Sequence, residues 1–206
     1  MATPQSLLAD SARLGVELSP AGAAKLLVLA AELAEWNKQF NLTSIPAEDS
    51  ATHHLLDSLS VGPFLKGGRI VDVGTGAGFP GIPLAIAYPE RTFLLMDATR
   101  KKLGFVDHIV QKLELANVTT LHARAEQFRP PQRFDGVVAR ALAKLDRFVA
   151  FTGHLCAPGG RLLAMKGRVP EEEIKALPRG WKAIATHRVE IPGLMAERHI
   201  VELARA

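Results

Sequence analysis

The stretch Asp72-Val-Gly-Thr-Gly-Ala-Gly-Phe-Pro-Gly81 decides the fold of this chain of 206 residues. It follows the apolar run Arg69–Val73, which is typical of a short buried strand, and it leads into the helix-compatible run Gly81–Ala87. A second apolar run, 92–96, comes next. Strand, helix and strand in this order predict a βαβ unit with parallel strands.

Further segments continue this alternation of helix and strand: 100–115 (helix), 118–122 (strand), 136–139 (strand), 145–155 (helix) and 161–166 (strand). We therefore predict an α/β fold built on a doubly wound, Rossmann-like sheet. The last apolar segments, 181–190 and 199–203, flank Pro192-Gly193 and show no long helical pattern. They predict an antiparallel C-terminal hairpin that closes the sheet.

The first part of the chain has a helical pattern instead. Ser19-Pro20 combines a helix-capping side chain with a proline at the first helical position, and leucines then recur at helical spacing up to Trp36. A second helical pattern covers 50–65, and Gly62-Pro63 interrupts it near its end. We predict a small N-terminal helical cap over 1–65, in the same domain as an α/β core over 66–206.

The glycines of the quoted stretch point to a ligand. Glycine permits a tight turn and lets backbone N–H groups approach a bound molecule without a Cβ between them. Asp97 ends the next strand, 19 residues beyond Gly78, where its carboxylate can accept hydrogen bonds from ribose hydroxyls. The loop and Asp97 together predict a cofactor that contains adenosine.

Two kinds of adenosine cofactor fit such a loop. The spacing Gly76-x-Gly78-x-x-Gly81 satisfies the fingerprint of dinucleotide-binding proteins. An acidic residue two positions before three alternating glycines, Asp72 before the glycines from Gly74 to Gly78, instead resembles motif I of S-adenosylmethionine-dependent methyltransferases. The second register is favoured because the loop opens at Gly74, immediately after the strand. In that register, Asp72 either helps to hold the cofactor or braces the loop without touching it.

Several longer segments resemble one methyltransferase family in particular. They are Phe40-Asn-Leu-Thr-Ser44, His54-Leu-Leu-Asp-Ser-Leu59, the loop from Val71 to Leu84, Arg124-Ala-Glu126, Phe134-Asp-Gly-Val-Val-Ala-Arg-Ala141, Met165-Lys-Gly167 and Glu197-Arg-His199. This combination is similar to the bacterial small-subunit ribosomal RNA guanine-N7 methyltransferases, the glucose-inhibited division B family. The resemblance runs from about Trp36 to Val201.

The resemblance implies a cofactor, a reaction and site residues. It implies that S-adenosylmethionine is the cofactor, that N7 of a guanine in 16S rRNA is methylated, and that 16S rRNA or the small ribosomal subunit is the partner. It places Gly74 and Phe79 against the cofactor, and Arg140 at the cofactor and the catalytic edge. It places Ala125 and Glu126 at the adenine. Guanine N7 has an in-plane lone pair and no proton, so we assign no catalytic acid or base.

Two of these side chains have ordinary interpretations when they are taken from the residues alone. Glu126 follows a predicted strand, where it either accepts from an exocyclic amine or is an exposed carboxylate at a helix start. Arg140 ends a strand at the ligand-binding edge of the sheet, where its guanidinium either pairs with a ligand carboxylate or phosphate or forms a surface ion pair.

Charge is divided unevenly along the chain. Residues 1–65 carry three Lys or Arg against seven Asp or Glu, whereas residues 66–206 carry 22 against 14. The basic second part is either ordinary solvation charge or a surface for a polyanion such as RNA.

Two functions are alternatives to the methylation of ribosomal RNA. One is a methyltransferase for a small metabolite, and the other is a nucleotide- or RNA-binding module without catalysis.

Other chemistries and locations lack support in the sequence. The lone Cys156 excludes a disulfide framework and a cysteine-based zinc cage. His53, His54 and Asp57 lie at helical spacing, but no partner segment supplies further ligands, so we predict no metal. We expect neither a membrane span nor a secretory signal. We therefore expect a cytoplasmic protein and, although the sequence does not decide the oligomeric state, a monomer.

Overall fold

Seven strands form one sheet in the computed structural model, which describes residues 2–140 and 143–206. The strands are β1 (Arg69–Val73), β2 (Thr92–Asp97), β3 (Val118–His122), β4 (Phe134–Arg140), β5 (Cys156–Lys166), β6 (Trp181–Val189) and β7 (Arg198–Arg205). Their order in the sheet is β3-β2-β1-β4-β5-β7-β6. Ala141, at the end of the segment quoted from Phe134, lies outside the described residues.

The pairing of the strands confirms the predicted α/β fold. Strands β1 to β5 run parallel to one another, whereas β7 runs antiparallel to β5, and β6 antiparallel to β7. The doubly wound sheet and the antiparallel C-terminal hairpin are therefore both present. Strand β5 begins earlier than predicted, because Cys156 pairs with Phe134 ahead of a register shift in the β4–β5 ladder.

The strand order fixes where a ligand can bind. Strand β1 pairs with β2 on one side and with β4 on the other. The chain adds β2 and β3 outward on one side of β1 and then continues with β4 and β5 on the other side, so the strand order reverses between β1 and β4. In open α/β sheets, ligands bind outside the carboxyl ends of the strands at such a switch point. The two segments that leave these ends are the glycine loop after Val73 and the end of β4 at Arg140.

Helices flank this sheet. They are α1 (Pro4–Arg13), α2 (Pro20–Phe40), α3 (Asp57–Leu59), α4 (Gly81–Ala87), α5 (Arg100–Lys112), α6 (Leu145–Thr152) and α7 (Glu171–Lys175). Among the described residues, no helix combines the length and the apolar character that crossing a membrane requires. The domain boundary predicted at residue 65 stays a prediction.

The N-terminal helices follow from local capping and spacing. The Ser19 side chain accepts a hydrogen bond from the Gly22 N–H, and buried leucines on one face of α2 join the core. Helix α1 has the same start signal at Thr3-Pro4, where Thr3 and Ser6 form a capping box. Helix α1 was not predicted, although its start signal is equivalent to the one at Ser19-Pro20.

The second helical pattern, over 50–65, is only partly regular. Its central part, Ala51–Leu56, is a π-helical turn that continues into the short helix α3. The sequence predicted an ordinary helix here, because apolar spacing does not distinguish a π turn from an α turn. Such turns occur frequently at functional sites. This one carries His53 and His54, which contact Arg140 across the molecule.

Candidate active site

Asp72 holds the two ends of the glycine loop together through buried hydrogen bonds. It is fully buried, and its Oδ2 accepts hydrogen bonds from Thr75 Oγ1 at 2.6 Å and from the Gly81 N–H at 2.8 Å. Burial raises the pKa of Asp72 to about 6, and the bonds from Thr75 and Gly81 oppose that rise. Because Asp72 lines neither of the two cavities described below, the structure favours the bracing role.

The loop glycines divide into two kinds. Gly76 has a φ of +60° and lines a cavity, and a Cβ built on it would meet no atom within 4 Å. Gly78 has a φ of +90°, and its Cβ would lie 2.3 Å from Ile82 Cδ1. The backbone at Gly76 is therefore open to a ligand, whereas Gly78 allows close packing of the loop against α4. The cofactor contact predicted for Gly78 stays a prediction, since Gly78 lines neither cavity.

Asp97 links the end of β2 to the loop. Its Oδ2 accepts from the Gly76 N–H at 2.9 Å, and its Oδ1 accepts from the Thr99 N–H at 2.7 Å. A carboxylate offers about four acceptor positions, so both oxygens can accept further hydrogen bonds. Asp97 also lines a cavity of about 350 Å³, where such bonds would come from a ligand.

This smaller cavity collects most of the residues predicted for an adenosine. Besides Asp97, its lining includes Gly74, the buried Ala125 and the exposed Glu126. Arg124 and Lys102 also line it. Thus elements that are distant in the sequence bring these predicted contacts to one cavity; whether they bind a cofactor stays a prediction.

A larger cavity, of about 580 Å³, lies beside the smaller one. Gly74 and Arg140 line both, so the two cavities meet at these residues. Three of the residues that line the larger cavity, Phe79, Thr75 and His54, are at most 3% exposed. Buried side chains therefore form part of the lining of the larger cavity. Phe79, which the resemblance placed against the cofactor, lines this cavity and not the smaller one, so its contact with the cofactor stays a prediction.

Arg140 is held by the π-helical turn and α3. Its Nη1 donates to the His53 carbonyl oxygen at 3.0 Å and to Asp57 Oδ2 at 3.1 Å. Asp57 is 3% exposed, and its Oδ1 accepts from Arg198 Nε at 2.7 Å. One buried carboxylate therefore pairs with two guanidinium groups, which leaves a net positive charge beside the cavity.

His54 completes this arrangement as a neutral acceptor. Burial, together with the charge of Arg140, lowers the pKa of His54 to about 4. Its Nδ1 lies 3.3 Å from Arg140 Nη2, and since arginine only donates, Nδ1 accepts. The ring proton is then on Nε2, which donates to Thr43 Oγ1 at 2.9 Å. The ring also stacks on Phe79, with 4.5 Å between centroids.

Thr43 lines the larger cavity and is hydrogen-bonded to helix α2. Its N–H donates to Asn37 Oδ1 and its carbonyl oxygen accepts from Asn37 Nδ2, both at 2.9 Å. No role in the site was predicted for Thr43 or Asp57. Their signal was present, because Phe40–Ser44 and His54–Leu59 are among the family-like segments, but no spacing rule connects them to Arg140.

Another part of the lining of the larger cavity comes from the end of β5 and the residue after it. Lys166 Nζ donates to the Ala143 carbonyl oxygen at 2.9 Å and to Glu173 Oε2 at 2.7 Å. The same Glu173 oxygen accepts from the Leu145 N–H, at the start of α6. Gly167 follows on the cavity wall, and a Cβ built there would meet no atom within 4 Å.

Metal ligation finds no support in this arrangement. Within residues 2–140 and 143–206, no group of three or more His, Cys, Asp or Glu residues could hold a metal ion. His53, His54 and Asp57, which share helical spacing, instead contact Arg140.

Solved structures of similar fold define the class to which this architecture belongs. An S-adenosylmethionine-dependent methyltransferase from Thiobacillus denitrificans, solved with S-adenosyl-L-homocysteine, has a TM-score of 0.55 and 12% sequence identity. The match covers 80% of this chain and 100% of that chain. The fold is therefore the Rossmann-like fold of methyltransferases.

Sequence comparison then gives the family. The family described as rRNA small subunit methyltransferase G (GidB) matches residues 23–201. The ribosomal RNA small subunit methyltransferase G of Azoarcus sp. (strain BH72) is 46% identical over 96% of this chain and 95% of its own length. That of Pseudomonas syringae pv. syringae (strain B728a) is 42% identical over 100% and 98%. This chain belongs to the rRNA small subunit methyltransferase G family, as the resemblance implied.

Proposed function

We propose that this protein transfers the methyl group of S-adenosylmethionine to N7 of a guanine in 16S rRNA. The observation that carries the proposal is the meeting of two cavities at Gly74 and Arg140, within a chain of the rRNA small subunit methyltransferase G family. The smaller cavity would hold the adenosine of the cofactor, and the larger would admit the base.

The residues of the smaller cavity fit an adenosine cofactor. Asp97 retains acceptor capacity for ribose hydroxyls, and Glu126 can accept from the exocyclic amine of adenine. Gly76 lines the larger cavity next to it and leaves open the space that a Cβ would fill, so backbone groups of the loop are accessible. When bound, S-adenosylmethionine supplies an electrophilic methyl group on a positively charged sulfur.

The polar groups around Arg140 suit a reaction that needs no proton acceptor. Both nitrogens of His54 are engaged, and both oxygens of Asp57 are paired with arginines. Guanine N7 attacks through a lone pair and loses no proton. The protein's contribution is then to hold N7 in line with the methyl group, which is an effect of orientation.

Arg140 is the residue to which we assign a role in catalysis. Its guanidinium lines both cavities, and its orientation is fixed by His53, His54 and Asp57. From there it can donate to the carboxylate of the cofactor or to guanine O6. Because Asp57 and His54 already hold part of its donor set, Arg140 is pre-oriented toward either acceptor.

Basic residues around the larger cavity would bind the RNA backbone. We assign this role to Lys166, Arg168 and Arg198, of which Lys166 and Arg198 line the cavity and Arg168 is exposed next to it in sequence. Phosphate contacts of this kind make affinity depend steeply on salt. The three residues lie in the basic part of the chain, 66–206.

The experiment combines cofactor binding with methyl transfer. Calorimetry should detect binding of S-adenosylmethionine or S-adenosyl-L-homocysteine and negligible binding of NADH, and radiolabelled methyl should pass to 16S rRNA. Binding of the cofactor with transfer only to small metabolites would favour the small-metabolite alternative. Binding without any transfer, to 16S rRNA or to small subunits, would favour the non-catalytic module.

Alanine variants separate the proposed roles. Arg140→Ala should reduce single-turnover methylation more than RNA affinity, whereas alanine at Lys166, Arg168 or Arg198 should weaken RNA binding and flatten its salt dependence. Arg13→Ala is the matched control, since Arg13 lies on α1 with an exposed side chain and lines neither cavity. Salt-independent RNA binding, or wild-type turnover in all four site variants, would contradict the assignment.

A further inference from the structure

The ring of His54 can hold the guanidinium of Arg140 in one protonation state, and a role for that state in catalysis rests on the proposed function. His54 Nδ1 lies 3.3 Å from Arg140 Nη2, and arginine only donates. Nδ1 must therefore carry a lone pair. A proton on Nδ1, in the other neutral tautomer or in the imidazolium ion, would set two N–H donors against each other. The ring that fits Arg140 is neutral and has its proton on Nε2.

This proton on Nε2 is buried and needs a partner. His54 is 3% exposed, and its ring stacks on Phe79 with 4.5 Å between centroids. Burial also lowers the pKa of His54 to about 4, so the ring is neutral near neutral pH. Within residues 2–140 and 143–206, Thr43 Oγ1 is the one hydrogen-bond partner of Nε2, at 2.9 Å. Without that oxygen the N–H would be a buried donor that nothing satisfies, which destabilises this tautomer.

The Thr43 hydroxyl is held in place independently of the ring. Its Oγ1 accepts a hydrogen bond from the Ile45 N–H at 3.1 Å, which leaves one lone pair for the His54 Nε2–H. The backbone N–H and carbonyl oxygen of Thr43 are both bonded to the side-chain amide of Asn37, near the end of α2. Helix α2 and Ile45 therefore fix where the acceptor for His54 lies.

His54 in turn fixes the direction of the guanidinium. The two further hydrogen bonds that Arg140 makes within the described residues, to the His53 carbonyl oxygen and to Asp57 Oδ2, both leave from Nη1. Bonds from one nitrogen hold one point of the group, and the bond from Nη2 to His54 supplies the second point. The pair of bonded nitrogens then determines which way the remaining N–H donors of Arg140 face.

We propose that Thr43 is a positioning residue for methyl transfer, which acts through His54 on Arg140. Its hydroxyl stabilises the Nε2–H tautomer, and that tautomer keeps Arg140 Nη2 paired. Neither Thr43 nor His54 then needs to contact a reacting atom or to move a proton. The alternative is that Thr43, which lines the larger cavity, binds the substrate directly.

Two substitutions at Thr43 separate its hydroxyl from its shape. Thr43→Val keeps the branched side chain and removes the acceptor, so single-turnover methylation of small subunits should fall by roughly tenfold or more, because slight misplacement of a catalytic group costs up to about a hundredfold. Thr43→Ser keeps the acceptor and should restore most of the rate. Thr119→Val, at an exposed position of β3 outside both cavities, is the control and should leave the rate unchanged.

A double-mutant cycle tests whether Thr43 acts through His54. His54→Phe keeps a ring against Phe79 and removes both nitrogens, so Arg140 loses the acceptor at Nη2 whatever stands at position 43. Thr43→Val should therefore cost little further rate in the His54→Phe background, although it is costly in the wild type. An equal loss in the two backgrounds would overturn the proposal in favour of direct substrate binding by Thr43.

Nitrogen-15 NMR of the histidine side chains observes the tautomer without cofactor or RNA. Near neutral pH the wild type should show His54 protonated at Nε2, with the signal assigned by its absence in His54→Phe. Thr43→Val should lose this signature and Thr43→Ser should retain it; Thr43→Ala replaces the valine variant in all of these tests if that variant does not fold.

The outcomes also separate this inference from the proposed function. A proton on Nδ1 of His54 in the wild type, an unchanged tautomer in Thr43→Val, or wild-type turnover by that variant would each overturn the positioning role. Absence of any methylation of small subunits by the wild type would instead overturn the proposed function, whatever tautomer the NMR spectra show.

Discussion

Replacing Asp72 with asparagine should remove a specific pH dependence of stability. Burial raises the pKa of this carboxyl from 3.8 to about 6 in the folded protein. The folded state thus holds the proton more tightly than the unfolded chain does. The stability that Asp72 contributes is therefore fully present below its ordinary pKa and is lost as the pH rises through about 6.

The magnitude follows from the two pKa values. One pKa unit corresponds to about 1.4 kcal/mol, so the full loss is about 3 kcal/mol, of which about 2 kcal/mol falls between about pH 4 and pH 7.5. Urea unfolding, followed by the fluorescence of Trp36 and Trp181, measures the free energy of unfolding at each pH. The wild-type value should decrease relative to that of Asp72→Asn by this amount as the pH rises.

A surface variant controls for the loss of a carboxylate as such. Asp107 lies on the exposed face of α5, and Asp107→Asn removes the same charge there. Parallel pH profiles of the wild type and Asp72→Asn would refute the reasoning. So would a wild type that gains stability over Asp72→Asn as the pH rises, since that would mean that the buried carboxyl is ionised without cost.

Four further predictions concern the glycine loop, Asp97 and the lone thiol. Gly78→Ala should lower the free energy of unfolding by about 1 to 3 kcal/mol more than Gly76→Ala does, because only the former overpacks against Ile82; urea unfolding measures this difference, and equal destabilisation by the two alanines would contradict the assignment. Gly76→Leu should instead abolish cofactor binding, which calorimetry measures, and should lower the free energy of unfolding by roughly 1 to 2 kcal/mol. Asp97→Ala should weaken cofactor binding by about 1 to 3 kcal/mol, and unchanged affinity in calorimetry would show that its carboxylate does not contact the cofactor. Burial raises the pKa of the Cys156 thiol to about 11, so the native protein should react slowly with iodoacetamide up to about pH 9 and the urea-unfolded chain quickly; equal rates would contradict the burial.

The parallel sheet could be predicted from the sequence because its signals are local. Strand β3 begins and ends where the pattern predicted, and the glycine loop lies between β1 and α4 as expected. The start of β5 is less predictable. Residues 156–160 contain two glycines and a proline, and they join the strand only because Cys156 pairs with Phe134 across the sheet. Pairing partners of that kind are not encoded in the spacing of nearby residues.

The residues of the candidate site were likewise predicted only in part. The loop glycines were predicted because they follow a strand directly, and Asp97 because it ends one. Arg140 also ends a strand, and the resemblance implied its place at the cofactor. The carboxylate that holds Arg140 was not predicted, since Asp57 is 83 residues from Arg140 and 141 residues from Arg198 along the chain. The role of Asp72 also needed the structure, because a carboxylate before a glycine loop has the same sequence whether it faces the ligand or the core.

Formation of N7-methylguanine in 16S rRNA tests the central proposal most directly. Small ribosomal subunits that lack the modification are incubated with this protein and S-adenosylmethionine carrying a labelled methyl group. N7-methylguanosine is then detected by mass spectrometry and located by reductive cleavage of the RNA at the methylated base. We predict one labelled N7-methylguanosine in 16S rRNA, absent with Arg140→Ala. Label on another atom or another RNA, or no label in the RNA at all, would contradict the account.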